Sequence, residues 1–437
     1  MTARMPDGDT VAAGLDVVLA QAISKCWKRL IPFMFLLYFV AFIDRVNVGF
    51  AKGAMATDLH MSNDAYALGA GIFFAAYAAV GVPANLLMNR IGAKLWLSGT
   101  TILWGILSAC TGLVGSPTQF IMLRFALGLA EAGFYPGILL LASIFFPDRT
   151  RASVVAIFVL GVPAALTLGT PISGALMEMH GVLGRPGWFW MFLLEGLPAV
   201  ALGLFGFFYL DDNPSSARFL NAEEKAALVA QLAGETKQAE ASDARTALLS
   251  PRVWHLAIIY GTLQIAVYGL IFFLPSQVAK LMGTAIGFKV SLVAAIPWAA
   301  SAVGVYFIPR FADRRPELRL PISVACLSVA GLGVLISAFA GPVLAITVLS
   351  LAAIGFLAVQ PIFWTFPASL LSGPALAAAI GFCTTLGAIG GFLAPIIRVH
   401  AEEAFSSARA GLIAMCGFSL LCAILIALLG GRVPRKA

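Results

Sequence analysis

Charge is scarce in this 437-residue chain: 11% of its residues are Asp, Glu, Lys or Arg, against roughly 25% in soluble domains. The deficit runs the whole length, which excludes a soluble domain carrying a single anchor. Histidine is also rare. His60, His180 and His400 fall between apolar stretches and His255 near the end of one, which leaves little support for a histidine proton relay or haem ligation. Six cysteines, Cys26, Cys110, Cys326, Cys383, Cys416 and Cys422, are scattered without CxxC or Cys/His ligand spacing. They read as small apolar packers, not as a disulfide framework or a metal site. No GxxxxGK[ST] loop is present, which argues against drive by ATP. No nucleophile, metal or cofactor constellation is found either, so neither an enzyme nor a bound cofactor is expected. Residues 1–28 lack the apolar core and cleavage site of a signal peptide, so the first apolar stretch is expected to remain and act as the targeting signal.

What the chain has instead is apolar length. It is 60% hydrophobic with a mean hydropathy of +0.93. The runs are continuous, as in 30–48 (broken by Asp44-Arg45) and 412–429, and a helical span needs about 20 such residues. A barrel would show short alternating strands. Spans are predicted at about 29–50, 66–88, 95–114, 118–146, 152–176, 187–210, 253–278, 288–309, 319–340, 342–365, 375–397 and 409–430. Connections on the N-terminal side hold most of the Lys and Arg, among them Lys25, Arg90, Lys94, Arg149, Arg151, Arg310, Arg314, Arg315 and Arg319. That asymmetry places both termini in the cytoplasm. The net charge of +7 therefore reports topology, and the expected partner is a lipid bilayer, not nucleic acid.

The longest polar stretch, 211–252, divides the chain into halves with room for six spans each. Within it Asn221, then Glu223, Glu224 and an Ala/Leu-rich run, predict an N-capped amphipathic helix. The expected units are an N-terminal segment 1–28, a first helical bundle 29–210, the linker 211–252, a second bundle 253–431 and a tail 432–437. A sensor would need an output domain, and only 211–252 has any size outside the membrane. The basic turns around Arg90 and Arg314 lie about 224 residues apart, the same offset as the first and seventh spans, a faint internal repeat of the kind transporters show. Gly128, Gly133, Pro136 and Gly137, then Gly161 and Pro163, then Gly387, Gly390, Gly391 and Pro395, let helices approach closely and bend.

Ionisable residues inside spans cost several kcal/mol each and mark an ion or substrate path. Arg124 and Glu131 lie two helical turns apart on one face of the fourth span. Asp44-Arg45 interrupts the first. Along their helices Glu131 falls about 20 Å and Asp44 about 22 Å from the membrane surface at which each span begins. An arginine fork suits a substrate carboxylate, and a carboxyl away from water can hold a proton near neutrality. The competing reading is a fixed ion-pair network that locks the first and fourth spans together; buried charges are poor stabilisers. Tyr77, Gln264, Tyr268, Gln360, Trp364, Thr384 and Thr385 are polar residues at plausible depth. Gln264/Tyr268 and Gln360/Trp364 each share a face at i, i+4. Such groups hydrogen-bond either a polyhydroxylated ligand or a neighbouring helix. Glu195, in the sixth span, reads as structural or gating.

The stretches Phe42-Ile-Asp44-Arg45-Val-Asn47-Val-Gly49-Phe, Arg124-x-x-x-Gly128-x-x-Glu131-Ala-Gly-Phe-x-Pro136-Gly and Leu194-Glu195-Gly-Leu-Pro198 resemble the anion:cation symporter family, a branch of the major facilitator superfamily. The resemblance covers nearly the full chain. It implies an all-α polytopic protein of the bacterial inner membrane, with 12 transmembrane helices in two six-helix bundles, working as a monomer and coupling organic-acid uptake to protons. It further implies Asp44 and Glu131 as protonation sites, Arg45 and Arg124 as carboxylate binders, and Tyr77, Gln264 and Trp364 as cavity lining. The segments 66–74, 82–88, 174–181, 186–191 and 267–275 add a narrower likeness that implies a sugar-acid anion, L-rhamnonate or a close relative, as substrate. Two departures stand out. Asn89 replaces the Asp usual before the Arg of the second-to-third turn, while Asp313-Arg314 keeps that pair in the second half. Thr384-Thr385-Leu-Gly387-Ala388 replaces an Asn-rich pattern, which points to a ligand less polar at that end.

Overall fold

The computed structural model describes residues 8–236, 248–371 and 373–429. Residues 1–7, part of the linker (237–247), the tail and the side chains of Asn85 and Asn89 lie outside the described residues. All regular structure among the described residues is helical. The first half holds α1 (Gly8–Val46), α2 (Val48–Asp58), α3 (Asn63–Ile91), α4 (Ala93–Thr111), α5 (Pro117–Glu131), α6 (Phe134–Phe145), α7 (Asp148–Val159), α8 (Gly161–Ala164), α9 (Thr170–Met177) and α10 (Gly187–Tyr209). Then come α11 (Ala222–Thr236), α12 (Pro251–Ile271), α13 (Leu274–Met282), α14 (Phe288–Arg314), α15 (Arg319–Ser337), α16 (Pro342–Leu370), α17 (Gly373–Ala404) and α18 (Ala408–Ala427). Nine helical stretches among the described residues are long and apolar enough to cross a membrane, and Gly161–Met177 is a shorter apolar one.

Several predicted spans are interrupted, and the interruptions have local causes. The single helix expected over 118–146 is instead α5 and α6, parted immediately after Glu131. Pro136 has no N–H to give the carbonyl of Ala132. The Trp96 ring lies where a Gly133 side chain would project, and its Nε1 donates to the Gly133 carbonyl at 3.2 Å. The span expected over 253–278 likewise parts between α12 and α13, where Pro275 cannot continue the ladder from Ile271. In the span 152–176 a π-helical turn, Ala165–Gly169, follows Pro163. Irregular backbone at such depth is tolerated where protein surrounds it.

Glycine sets how closely the helices pack. Gly128 of α5 has the Phe73 carbonyl of α3 so near that a Cβ would sit 2.2 Å from it. Gly105 of α4 and Gly196 of α10 pack backbone to backbone. The same device joins the two halves at the ends remote from α11. Gly49 meets the Phe272 carbonyl, Gly71 the Phe392 carbonyl and Gly174 the Ser291 side chain. There Glu178 Oε1 of α9 also accepts from the Phe288 N–H of α14 at 2.8 Å. Lys52 Nζ lies 4.3 Å from the Phe273 ring centre, and Arg398, donating to the Gly269 carbonyl, covers the same ring at 4.2 Å.

At the other end α11 docks on α1. Asn221 and Glu224 form a reciprocal cap: Glu224 N–H donates to Asn221 Oδ1 at 2.8 Å, and Asn221 N–H to Glu224 Oε2 at 2.9 Å. Lys25 Nζ approaches Glu224 Oε1 at 2.8 Å.

Two outcomes are expected. Gly174→Val, whose side chain has no room beside Ser291, will loosen the seam between the halves. Hydrogen exchange over 287–295 should then rise, by roughly tenfold if about 1.4 kcal/mol is lost; unchanged exchange would show that the seam has slack. The hydrogen bond from Lys25 holds the Glu224 carboxyl below its ordinary range. A lowered folded-state value contributes stability above the unfolded value, and this is lost as pH falls through the folded one. Docking of α11 should therefore weaken in acid and not in alkali. Exchange of 222–234, corrected for intrinsic chemistry, checks it, with Lys25→Ala removing the acid sensitivity.

Candidate functional site

The charges converge where α1 ends and α5 breaks. Arg45 Nη2 lies 2.8 Å from Glu131 Oε2, joining the first and fourth spans. Glu131 is fully buried, while the Arg45 side chain keeps 12% exposure. Asp44 does not pair with its neighbour Arg45 among the described residues. It accepts from Asn47 Nδ2 at 3.2 Å and from the Ser108 hydroxyl of α4.

Arg124 is fully buried and forms no ion pair within hydrogen-bonding distance among the described residues. Its Nε donates to the Gly69 carbonyl at 3.4 Å, and its Nη2 has no partner. Asp44 and Glu131 are both in electrostatic reach of it. The ring of Phe73 receives both guanidiniums, Arg124 at 5.0 Å and Arg45 at 5.2 Å from its centre. Cation–π attraction of this kind holds two like charges on one aromatic surface without quenching either. Glu131 Oε1, Asp44 Oδ2 and Arg45 Nε are also unpartnered, so the cluster holds unused hydrogen-bonding capacity on both signs.

Tyrosines surround Arg45. Tyr77 lies 5.4 Å from it, ring centre to guanidinium, and Tyr38 and Tyr268 act on it electrostatically. Tyr38 stacks on Phe158 at 4.1 Å, and Tyr135 adjoins both. From the second half Tyr260 packs on Phe363 at 5.1 Å and Trp364 at 4.8 Å, while Tyr268 contacts Phe74 at 4.5 Å across the halves. Three of the chain's eight tyrosines, Tyr38, Tyr77 and Tyr268, thus act on one guanidinium.

Of the residues singled out from sequence, Asp44, Arg45, Arg124, Glu131, Tyr77 and Tyr268 come together here. Gln264 is buried on α12 with Oε1 unpartnered, one turn from both Tyr260 and Tyr268. Gln360 and Trp364 are half-buried on α16. Thr384 spends its hydroxyl on the Gly381 carbonyl of its own helix at 2.8 Å, as does Thr385 at 2.9 Å. Sequence reasoning missed Phe73, Tyr38, Tyr135 and Tyr260. Three of them carried a spacing signal: Phe73 is four residues before Tyr77, Tyr38 seven before Arg45, and Tyr260 four before Gln264. A separate recess of about 720 Å³, lined by Trp254, His255 and Leu425 among others, lies at the α11-side ends of α12 and α18, away from the charges.

The sequence profile described as Major Facilitator Superfamily matches residues 34–395. The chain belongs to that superfamily. Among its relatives, the inner membrane transport protein RhmT of Escherichia coli is 53% identical over 94% of this chain and 95% of its own length. A putative tartrate transporter of Agrobacterium vitis is 39% identical over 95% and 93%. In three dimensions the chain is similar to a bacterial homolog of the human lysosomal transporter Spinster, solved in an inward-facing, unoccupied conformation. The TM-score is 0.73 with 18% identity, covering 93% of this chain and 98% of that one. This member of the Major Facilitator Superfamily is a transport protein and not an enzyme.

Breaking a buried ion pair by removing one partner strands the other charge, typically at about 3–5 kcal/mol. Arg45→Met should therefore lower the thermal midpoint of the purified protein substantially, and Arg45→Met combined with Glu131→Gln should recover much of the loss. A double variant no better than the single one would show that Arg45 stabilises through its aromatic contacts instead.

Proposed function

We propose that the protein is a proton-coupled symporter that brings a monocarboxylate sugar acid, L-rhamnonate or a close relative, into the cell across the bacterial inner membrane. One observation carries the reading. A buried arginine with an unused Nη2, Arg124, lies within electrostatic reach of an Arg45–Glu131 pair that Tyr38, Tyr77 and Tyr268 flank. Guanidinium forks bind carboxylates, and phenolic hydroxyls suit the hydroxyls of a sugar acid. The likeness of several segments to the bacterial L-rhamnonate transporter supports the substrate.

In this reading twelve helices span the membrane in two six-helix bundles, 29–210 and 253–431, with both termini and the linker cytoplasmic and the monomer as the working unit. The distribution of Lys and Arg supports that orientation. The glycine seam then lies on the periplasmic side and the site faces the cytoplasm. Gly381, on the cytoplasmic part of α17, has open space around it.

The cycle follows from the pair. In the outward-open state protons from the periplasm bind Asp44 and Glu131. A proton on Glu131 removes the negative partner of Arg45 and frees that guanidinium for the substrate carboxylate. With substrate bound Arg45 again has an anionic partner, the site carries one net positive charge from two guanidiniums against one carboxylate, and the bundles rock. Deprotonation toward the cytoplasm restores the Arg45–Glu131 pair, which displaces the substrate. No cofactor other than the proton takes part. Gln264, Gln360, Trp364 and Thr384 line the substrate side from the second bundle.

A second reading, exchange or uniport of another small acid such as tartrate, galactonate or 4-hydroxyphenylacetate, is favoured by the A. vitis relative and by the internally bonded Thr384 and Thr385. Uptake of labelled L-rhamnonate into proteoliposomes decides between them, with those acids as competitors. Accumulation only under an inward proton gradient is expected, and Glu131→Gln should abolish it while counterflow continues. Equilibration without accumulation by the wild type would remove proton coupling. Exclusion of L-rhamnonate by another acid would replace the substrate.

A further inference from the structure

Glu195 of α10 is a third buried carboxyl among the spanning helices, after Asp44 and Glu131; the cycle above does not use it, and it is 5% exposed. Its Oε1 accepts from the Ser173 hydroxyl of α9 at 2.6 Å, and its Oε2 has no partner. No cation pairs with it among the described residues. The Asn47 amide lies near enough to act on it without forming a hydrogen bond to it, and donates through Nδ2 to Asp44 Oδ1 at 3.2 Å. Asn47 Oδ1 itself lacks a donor. A carboxyl, an amide and a second carboxyl therefore lie in one buried group, Glu195, Asn47 and Asp44, with Ser173 bonded to the first and Ser108 to the last.

The unused atoms in that group are three acceptors, Asn47 Oδ1, Glu195 Oε2 and Asp44 Oδ2, and no donor. Asn47 Oδ1 and Glu195 Oε2 are both bare, and a proton on the Glu195 carboxyl is the one addition that gives such a pair a donor. Two carboxylates flanking one amide also cannot both carry charge cheaply away from water. The ionisable groups on the elements packed against α10 include Lys25, Cys26, Lys28, Arg29, Tyr38, Asp44 and Arg45 on α1, Lys52 and Asp58 on α2, and Lys94 and Cys110 on α4; α9 carries none. Of these, Asp44 is the one whose charge reaches Glu195. Along α10 Glu195 lies about 12 Å from the helix start at Gly187, on the seam side of Asp44.

Resting on the proton-coupled reading, we propose that Glu195 is a positioning residue for the coupling reaction: a proton-holding carboxyl that, through the Asn47 amide, sets the pH at which Asp44 loads its proton. With a proton on Glu195, its O–H donates to Asn47 Oδ1 and both amide hydrogens are free to serve Asp44. When that proton leaves to water, the carboxylate competes for the amide, and its charge favours a proton on Asp44. No proton passes through the amide itself; the two carboxyls each exchange with water, and the amide transmits only orientation and charge.

The test is gradient-driven uptake of labelled L-rhamnonate in proteoliposomes as a function of external pH, for wild type, Glu195→Gln, Glu195→Asp and Asn47→Leu. Glu195→Gln should move the midpoint of the pH profile by at least half a pH unit, about threefold in proton concentration. Asn47→Leu should move it in the opposite sense, because it removes the donor that favours the Asp44 carboxylate, whereas Glu195→Gln removes the charge that favours a proton there, and Glu195→Asp should return it toward wild type. A Glu195→Gln profile that superposes on wild type would overturn the proposal. So would uniform loss of uptake at every pH in both Glu195 variants, since that is what packing damage alone produces. A wild type that never accumulates substrate under a proton gradient would sink symport and this inference with it. A wild type that accumulates beside an unmoved Glu195→Gln profile would sink the inference alone.

Discussion

A guanidinium and a carboxylate 2.8 Å apart and away from water determine most of what surrounds them. Neither Arg45 nor Glu131 can lose its partner without leaving a charge in a medium that solvates it poorly. Each therefore needs either the other or a replacement of the same sign. The site supplies the setting in which replacement is possible. The Phe42, Phe73 and Tyr77 rings lie against Arg45, and a second arginine, Arg124, lies against Phe73 as well. Phe73 is the piece that allows two cations to share so small a volume. Its quadrupole attracts both guanidiniums and offers neither a hydrogen bond that an anion would have to displace.

The helices that carry this cluster are built to come close and to part. Small residues bring α3 against α5 and α4 against α10 within each neighbourhood, fixing Arg124 and Glu195 in dry positions. Between the halves the same residues form a seam of carbonyl-to-glycine contacts on one side only. Contacts of this kind are individually weak, and side-chain contacts accompany them across the seam, Lys52 on the Phe273 ring and Tyr268 on Phe74. The breaks after Glu131 and after Phe272 fall next to the site and next to the seam respectively, where a rigid helix would couple the two less freely.

Much of this was legible in the sequence, because membranes make charge conspicuous. Asp44, Arg45, Arg124 and Glu131 stood out against apolar runs, and the polar face of α11 announced its Asn221 cap. What was not legible has physical reasons. The pairing of Arg45 with Glu131 and not with adjacent Asp44 depends on side-chain direction across two helices, which spacing along one helix does not fix. Phe73 and Tyr38 look like any other aromatic in a span until a guanidinium is seen against them. Helix continuity through Pro136 and Pro275 was expected because hydropathy does not register a missing N–H. Glu195 was visible as an oddity, but its link to Asp44 runs through Asn47 on another element, beyond what a linear pattern conveys.

The bond from the Phe288 amide to Glu178 has a consequence for the shape of the cycle. Gly287, at the start of α14, has no side chain with which to satisfy that amide, so the first turn of the helix relies on an acceptor in the other half of the molecule. Any motion that separates the halves there uncaps α14, and losing a cap costs a helix about 1 kcal/mol. In the proposed cycle, opening of the seam would leave the first turn of α14 without that acceptor, at a cost set by a residue 110 positions away in the chain.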